Sequence, residues 1–236
     1  MSAPYVTQPD STGAAEQTTS LPQQHSRNPQ RVEAEDPQLR AVLNLAQSCE
    51  YEAPHTHQVT RLALRLFDEL RTVHGLGPRE RTWLQYAALL HDIGLIEGPK
   101  GHHKSSLRII LRSPILTLSK KERLIVGSVA RYHRAVLPRP RHRHFARLSP
   151  AARRIVRILA GILRVADGLD YTHQSVVHDL VCDITTETIA VRCTCRIPPR
   201  GQSEGLAEAE RQRALSKGAL LEQVLERRLI VECLLQ

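Results

Sequence analysis

The chain has 236 residues, of which 41% are apolar and only 3% aromatic, so it is long enough for one large domain or two small ones. The apolar residues are mostly Leu, Ala, Val and Ile, which favours helices over a β-sandwich, and the net charge of +9 favours anionic partners. No apolar run is long enough to span a membrane, and no secretory signal is visible at the N-terminus.

The first part of the chain combines a polar tail with three predicted helices. Residues 1–34 are rich in Gln, Ser, Thr and Pro, and we expect them to form a disordered tail. Helices are predicted from near Pro37, from near Pro54 to the glycines of "HGLGP", and over about residues 79–92. Proline at the start of the second helix is compatible with its first turn.

The middle of the chain contains three further predicted helices. A short one covers about residues 103–112, and the next opens with Ser119 and Glu122 at the spacing of a capping box. A loop is predicted over residues 138–148. The helix of "SPAARRIVRILAGILRVADGLD" is apolar nearly all round apart from its arginines, so we expect it to be central.

Beyond Val176 the apolar period changes from helical to two. "VHDLVCDI" and "TIAVRCTCR" predict a β-hairpin, followed by a helix over about residues 204–226 and a strand at "RLIVECLL". The predicted fold is therefore mainly α, a multi-helix bundle over residues 35–175 followed by a small β-β-α-β unit over residues 176–236.

Polar residues extend the apolar stripes of five predicted helices. Residues three or four apart share a helix face, and this geometry selects five side chains. They are His55, His91, His103, His133 and Asp167, with Asp170 one turn further on. Because a buried imidazole or carboxylate without a partner is costly, we expect these groups to meet in one core. Together with Asp92 they form a natural ligand set for one or two divalent metals.

The alternative for any single histidine is a buried core residue bonded to a backbone carbonyl. The other histidines are interpreted as surface or loop residues: His25, His57, His74, His142, His144, His173 and His178. Cys193 and Cys195 alternate on a strand and are predicted to face the core of the small unit, without forming a zinc site. The odd number of five cysteines suits a reducing cytosol, so we expect a cytoplasmic protein.

A basic stretch separates two of the predicted helices. From Arg123 to Ala166 the sequence has no Asp or Glu, and within it lies "ARYHRAVLPRPRHRHFARLSPAARR". Such a stretch is either a solvated basic loop or a site for a phosphate-rich partner. Nucleic acid is a less favoured partner, because exposed aromatic residues and a recognisable binding module are not evident.

The order His55, His91-Asp92, Asp167 resembles the signature of the HD superfamily of metal-dependent phosphohydrolases. Further motifs narrow the resemblance: "VTRLALRLFDEL", "YAALLHDIG", "GHHK", "LSKKERLIVGSVARYHR" and "ARLSPAARRIVRILAGILRVADGLDYTHQS". Together with the C-terminal unit they are similar to the C-terminal HD-type region of the Ppx/GppA family of exopolyphosphatases and guanosine pentaphosphate phosphohydrolases. The similarity extends over about residues 38–236.

The resemblance implies hydrolysis of a phosphoester with one or two divalent metal ions per chain, Mn, Fe, Mg, Ni or Zn. It assigns His91 and Asp92 to catalysis and His55, His91, Asp92 and Asp167 to the first metal. Candidates for a second metal or for holding phosphate are His103 and His133, with His102 competing for the same role. Candidates for binding phosphate oxygens are Lys104, Arg134, Arg164 and His102.

The family's HD region usually follows a two-lobed actin-like catalytic domain with glycine-rich phosphate loops. We see no such domain before residue 35, so we expect the polyphosphate cleavage of that domain to be absent. The expected substrate is a phosphate-containing small molecule, such as a nucleotide or alarmone, or polyphosphate. The alternative is a non-catalytic regulatory module that binds polyphosphate or a nucleotide, and a homodimer paired through the small unit is an open option.

Overall fold

The computed structural model describes residues 1–2, 36–196 and 203–235. Apart from its first two residues, the predicted disordered tail of residues 1–34 lies outside the described residues. The described part is mainly helical with one small three-stranded sheet near its C-terminal end, which confirms the predicted fold class. None of the helices described is long and apolar enough to cross a membrane.

The helices and strands follow the predicted order closely. They are α1 (Pro37–Ser48), α2 (Ala53–Glu69), α3 (Arg71–His74), α4 (Pro78–Leu89), a 3-10 helix (Ile93–Glu97), α5 (His102–Arg112), α6 (Lys120–Arg131), α7 (Arg143–Ala146), α8 (Pro150–Gly168), β1 (Val177–Ile184), β2 (Thr188–Cys195), α9 (Ser203–Lys217), α10 (Ala219–Leu225) and β3 (Arg228–Leu235). Several elements differ from the prediction. The helix expected from near Pro54 to the glycines of "HGLGP" is divided at Leu70 into α2 and α3, and a 3-10 helix follows α4. The expected loop of residues 138–148 contains the single turn of α7, and the expected helix of residues 204–226 is divided at Gly218 into α9 and α10.

Local side-chain chemistry explains where several helices begin. The predicted capping box of α6 is present, because the Glu122 backbone N–H donates to Ser119 Oγ (3.3 Å) and the Ser119 N–H donates to Glu122 Oε2 (3.1 Å). Ser149 caps α8 in the same way, by accepting a hydrogen bond from the Ala152 N–H at 3.3 Å. These caps fix the starts of the two helices that carry the basic stretch and the central apolar segment.

Helix α8 lies at the centre of the bundle, as its all-round apolar character predicts. It contacts α2, α4, α6, α9 and α10. Helix α9 approaches the C-terminal end of α8 backbone to backbone, because a Cβ at Gly168 would lie 2.6 Å from Ala214 Cα. The C-terminal end of α9 is thereby placed beside Asp167, in the last turn of α8.

The three strands form a sheet in the order β1-β2-β3. β1 and β2 pair antiparallel, which confirms the predicted hairpin, and β3 runs parallel to β2. Cys193 and Cys195 are buried, and the cysteines at 49, 182, 193, 195 and 233 are free. Residues Asp36–Gln236 cluster as one compact unit, and their division into two domains at residue 175 stays a prediction.

One histidine interpreted from the sequence as a surface or loop residue is instead buried between helices. His74 is 1% exposed, its Nε2 donates to the Phe67 carbonyl (2.9 Å), and its Nδ1 accepts from the Leu76 N–H (2.9 Å). Since Nδ1 acts as an acceptor, this arrangement requires the neutral ring. Burial lowers the pKa of His74 below its ordinary value of 6.5.

This arrangement predicts a pH-dependent contribution to stability. The pKa of His74 is lower in the folded chain than in the unfolded chain, so its contribution is complete above about pH 6.5 and is lost as the pH falls below that value. We expect His74→Gln to cost about 1–2 kcal/mol at pH 8, through lost hydrogen bonds and packing, and clearly less at pH 5. Urea unfolding of both proteins at the two pH values measures the difference, and a cost that grew on acidification would contradict the assignment.

Candidate metal centre

His91 and Asp92 follow the end of α4, where the chain turns into the 3-10 helix. His91 is fully buried, and its Nδ1 donates to the carbonyl of Ala88, three residues earlier, at 2.7 Å. Because a carbonyl can only accept, the proton lies on Nδ1 and the lone pair on Nε2. The helix end therefore fixes both the tautomer and the direction of the ring, as is usual for histidines that bind metals.

Two further histidines are fixed by the same kind of bond. His133 Nδ1 lies 2.7 Å from the Ala130 carbonyl, and His102 Nδ1 lies 3.1 Å from the Pro99 carbonyl, each again three residues earlier. Their Nε2 atoms face each other at 3.4 Å. Two lone pairs at this distance repel unless a proton or a cation lies near both of them.

His55 near the start of α2 is oriented by a carboxylate instead of a carbonyl. Its Nδ1 bonds to Asp170 Oδ2 at 2.8 Å, while Nε2 lies 3.7 Å from Asp167 Oδ1. Asp170 is fully buried, and its second oxygen accepts from the Ser175 N–H at 2.9 Å. Asp170 thus acts behind the imidazole, in the arrangement by which carboxylates orient histidine ligands of metals.

These side chains form two adjacent groups of ligand atoms. In the first group, the ligand atoms of His55, His91 and Asp167 all lie within 4.8 Å of one another. In the second group, the same is true of the ligand atoms of Asp92, His102 and His133. Asp92 links the groups, since its Oδ2 lies 3.5 Å from His91 Nε2 and its Oδ1 lies 3.1 Å from His102 Nε2 and 3.3 Å from His133 Nε2. The carboxylate can therefore serve both groups, one through each oxygen.

Three of the ligand atoms are buried without a hydrogen-bond partner in the described part of the chain: His55 Nε2, His91 Nε2 and Asp92 Oδ1. Each unsatisfied buried acceptor costs about 1–3 kcal/mol. A divalent cation would satisfy all three at once. Imidazole nitrogens with carboxylate oxygens suit Mn, Fe, Zn, Ni or Mg, so the residues present fit a metal.

The electrostatic environment keeps the carboxylates ionised. Burial raises the pKa of Asp92, but electrostatic attraction to the imidazoles around it, that of His91 foremost, outweighs burial and holds the pKa well below its ordinary range. Burial also raises the pKa of Asp167, and the ammonium group of Lys217, which forms an ion pair with Oδ2, is the largest opposing effect and brings it to about 2. Both groups are therefore anionic at neutral pH.

The two histidines at the edges of the cluster differ in their affinity for a proton. Burial lowers the pKa of His133 to about 3, so its Nε2 keeps a free lone pair at neutral pH. Burial also lowers the pKa of His55, but the hydrogen bond to Asp170 and the charge of Asp167 outweigh it and raise the pKa above 6.5. A metal at His55 thus competes with a proton for Nε2.

A cleft of about 340 Å³ opens onto these groups. Its lining residues come from the bundle and from α9: His55, Asp92, His133, Arg134, Ala135, Arg164, Asp167, Tyr171, His173, Arg213, Ser216 and Lys217. Four of them carry a permanent or near-permanent positive charge, which suits a substrate with several phosphate oxygens. The metal ligands and the cations thus share one opening to solvent.

The structure brings together most of the residues predicted to bind metal, with one exchange. His55, His91, Asp92, His133 and Asp167 all lie in the two ligand groups. His102 lies in the group with Asp92 and His133, where the apolar stripe of the helix predicted His103. His103 is buried beside it, with its ring centre 5.8 Å from that of His102, and lies outside both groups.

The residues predicted to bind phosphate lie in different environments. Arg134 lines the cleft and is exposed, whereas Lys104 is exposed on α5 away from the lining. Arg164 lines the cleft but is largely buried, and donates to the carbonyls of Tyr132 (3.0 Å) and Lys217 (3.2 Å). Their phosphate contacts stay predictions.

Sequence reasoning missed several cleft residues, among them four with large polar or charged side chains. His173, interpreted as a loop residue, stacks on His55 with ring centres 3.8 Å apart, and its Nδ1 bonds to Glu52 at 2.8 Å. Arg213 and Lys217 project from α9, and Tyr171 lies under the Arg213 guanidinium at 4.4 Å. No pattern along the chain links α9 to the histidines, so only the tertiary structure reveals these residues.

Comparison with protein families agrees with the sequence resemblance. The family model described as Ppx/GppA phosphatase, domain III, matches residues 38–192. The match contains every residue of the two ligand groups. Arg213, Ser216 and Lys217, on the α9 wall of the cleft, lie beyond it.

Proposed function

Because the chain belongs to the Ppx/GppA phosphatase family through its domain III, we propose that it is an HD-type metal-dependent phosphohydrolase acting on a phosphate-rich substrate, such as a nucleotide, an alarmone or polyphosphate. The observation that carries the proposal is the convergence of buried, unsatisfied acceptor atoms at the floor of a cationic cleft. The family relation makes phosphate the expected ligand, and the donor set makes a metal the expected cofactor.

The two ligand groups define which residues would hold one or two metal ions. His55, His91 and Asp167 serve one position, and His102 and His133 serve the other, with Asp92 available to both. When bound there, a divalent cation supplies Lewis-acid activation of water and neutralises charge on phosphoryl oxygens. The backbone carbonyls and Asp170 orient the imidazoles before any ligand is bound.

The cleft walls supply the groups that bind and orient the substrate. Arg134 is exposed at the opening and Arg213 faces it from α9, so both can bind phosphate oxygens away from the reacting phosphorus. His173 has Nδ1 engaged by Glu52, which leaves Nε2 as the ring nitrogen that can exchange a proton with a ligand in the cleft. We therefore propose that His173 transfers the proton to the leaving group.

Metal removal tests the proposal directly. We expect the purified chain to contain one or two divalent metal ions and to hydrolyse an aryl phosphate or a phosphodiester. Dialysis against a chelator should remove both the metal and the activity, and addition of Mn²⁺, Fe²⁺, Zn²⁺, Ni²⁺ or Mg²⁺ should identify the active ion. Elemental analysis and a turnover screen over nucleotides, alarmones and polyphosphate measure these outcomes.

A chelated protein that retains full turnover would rule out the metal-dependent mechanism. Residual metal must be checked in the same sample, because a tightly held ion can survive dialysis. Turnover that is lost on chelation and is not restored by any of the five metals would also count against the proposal, provided that circular dichroism shows an unchanged fold.

One observation favours the alternative of a non-catalytic regulatory module that binds polyphosphate or a nucleotide. Lys217 already neutralises Asp167, so the first ligand group is partly satisfied without a metal. A regulatory module would bind these ligands with the same affinity after chelation and would show no turnover. A cytoplasmic location and a homodimer paired through the small unit remain part of the proposal.

A further inference from the structure

Arg131, the last residue of α6, carries a buried positive charge without a counter-ion. The residue is 7% exposed, and its Nη1 is buried with no hydrogen-bond partner in the described part of the chain. No ion pair of Arg131 is found within residues 36–196 and 203–235, and its guanidinium carbon lies 5.7 Å from the centre of the Tyr132 ring. An arginine in such a position normally binds a carboxylate or a phosphate.

The surrounding sequence cannot supply the missing negative charge. Arg131 lies inside the stretch from Arg123 to Ala166, which contains no Asp or Glu. A buried cation that lacks a partner is destabilising, because it loses hydration without a compensating interaction. Because no ion pair of Arg131 is found within the described residues, an anion from solution would stabilise this part of the molecule.

The packing of α5 against α6 places a histidine opposite Arg131. A Cβ at Gly127 of α6 would lie 2.9 Å from Leu107 Cδ1, so the two helices are in close contact there. Arg131 lies one turn after Gly127 on α6, and His103 lies one turn before Leu107 on α5. Both residues are therefore on the faces through which the two helices pack against each other. In agreement, burial lowers the pKa of His103 to about 4, and the positive charge of Arg131 makes the next largest contribution to this shift.

A second imidazole reaches the same region from α7. His144 Nε2 is buried without a partner in the described residues, and its ring centre lies 5.4 Å from that of Tyr132. The wall beside it is held by His142, whose Nδ1 lies 2.7 Å from the Tyr132 hydroxyl oxygen and 3.3 Å from the Arg139 backbone nitrogen. This region thus contains two buried polar atoms without a partner in the described residues, Arg131 Nη1 and His144 Nε2.

We propose that Arg131, His103 and His144 bind one phosphate-type oxyanion at a site separate from the two metal-ligand groups. A tetrahedral oxyanion accepts several hydrogen bonds at once and suits a guanidinium flanked by imidazoles. None of the three residues lines the cleft, and the site needs no metal. Free inorganic phosphate and the distal phosphate of a longer substrate share this chemistry.

Titration calorimetry with inorganic phosphate tests the site in chain that has been stripped of metal by a chelator. We expect saturable binding of one phosphate, and about a tenfold or larger loss of affinity in Arg131→Met, which keeps the apolar stem and removes the charge. His144→Phe keeps the ring shape, removes the donor and should weaken binding by about fivefold. Asp92→Asn should bind phosphate as the wild type does, because the site is independent of the metal ligands.

The control is Arg141→Met, which removes the same charge from an exposed position of the same basic stretch. It should change the affinity by less than about twofold. Arg131→Met should also be at least as stable as the wild type in phosphate-free buffer, because it no longer buries an uncompensated charge. Wild-type affinity in Arg131→Met, or an equal loss in Arg141→Met, would overturn the proposal.

Tripolyphosphate distinguishes the two sources of the oxyanion. In chain loaded with metal, Asp92→Asn loses a metal ligand, so both Arg131→Met and Asp92→Asn should weaken binding of tripolyphosphate if the site holds the distal phosphate of a substrate that also enters the cleft. If the site is for free phosphate, only Arg131→Met should weaken binding of the inorganic ion, and tripolyphosphate should depend on Asp92 alone. An Arg131→Met protein with wild-type affinity for both probes has no such site.

Discussion

Replacement of His91 and Asp92 by alanine is expected to remove bound metal and to lower phosphohydrolase turnover by about a thousandfold or more. The two residues contribute to both ligand groups, and Asp92 faces His91, His102 and His133 at 3.1–3.5 Å. A metal typically supplies several kcal/mol of transition-state stabilisation, and each 1.4 kcal/mol is about a factor of ten in rate. Elemental analysis and initial rates on an aryl phosphate measure the two losses.

The matched control is His57→Ala, two residues from His55 on the same helix. His57 is exposed and bonds to the Tyr51 hydroxyl at 2.8 Å, outside both ligand groups. It should keep the metal and the turnover of the wild type. The double variant should remain folded, because it removes buried acceptors that are unsatisfied without a cation. Turnover that survived in a folded, metal-free double variant would refute the catalytic assignment.

The parts of the site that could be predicted are those that follow helix periodicity. Each of His55, His91, His133 and Asp167 continues an apolar stripe on one face of a helix. Because that face packs on the core, a residue that continues the stripe must also face the core. The fold class was predictable for the same reason, since the periods of 3.6 and two change cleanly near Val176. Five helices that each bury a polar residue imply a shared polar centre, because the groups must satisfy one another.

Periodicity fails at a helix end, as His102 and His103 show. The stripe of Ile110 and Leu107 leads back to His103, which is indeed buried on that face. His102 is the first residue of α5, and its ring is held by the Pro99 carbonyl, beyond the helix end. The direction of this side chain is set by the loop and not by the helix, so counting along the stripe could not find it.

Other parts of the site depend on contacts between segments far apart in the chain. Asp170 lies one turn beyond Asp167, yet its role behind His55 depends on an approach across 115 positions. Lys217 comes from a helix that packs on α8 through Gly168, and nothing in the spacing of its own helix indicates the cleft. His173 adopts a backbone φ of 58°, which counting along a helix does not anticipate.

Gly94→Ala is expected to destabilise the chain and to disrupt the second ligand group, although alanine adds a single methyl group. A Cβ at this position would lie 2.1 Å from the His102 carbonyl oxygen and 2.6 Å from the Ser106 backbone nitrogen. Both obstacles are backbone atoms of α5, so the helix must move as a body. We expect a loss of about 3 kcal/mol in the free energy of unfolding, measured by urea denaturation.

The displacement should also reach the metal centre, because the contact that Gly94 makes with α5 fixes the position of His102. The Gly94 N–H donates to Ser106 Oγ (3.0 Å), and that hydroxyl donates to the His91 carbonyl (2.8 Å), so the same contact connects α5 to the His91-Asp92 turn. Gly94→Ala should therefore lower metal content and turnover. Gly205→Ala adds the same methyl group in open space on α9 and should be neutral or slightly stabilising. If Gly94→Ala were as stable and as rich in metal as Gly205→Ala, the close packing of α5 on this turn would not be what holds His102 in the centre.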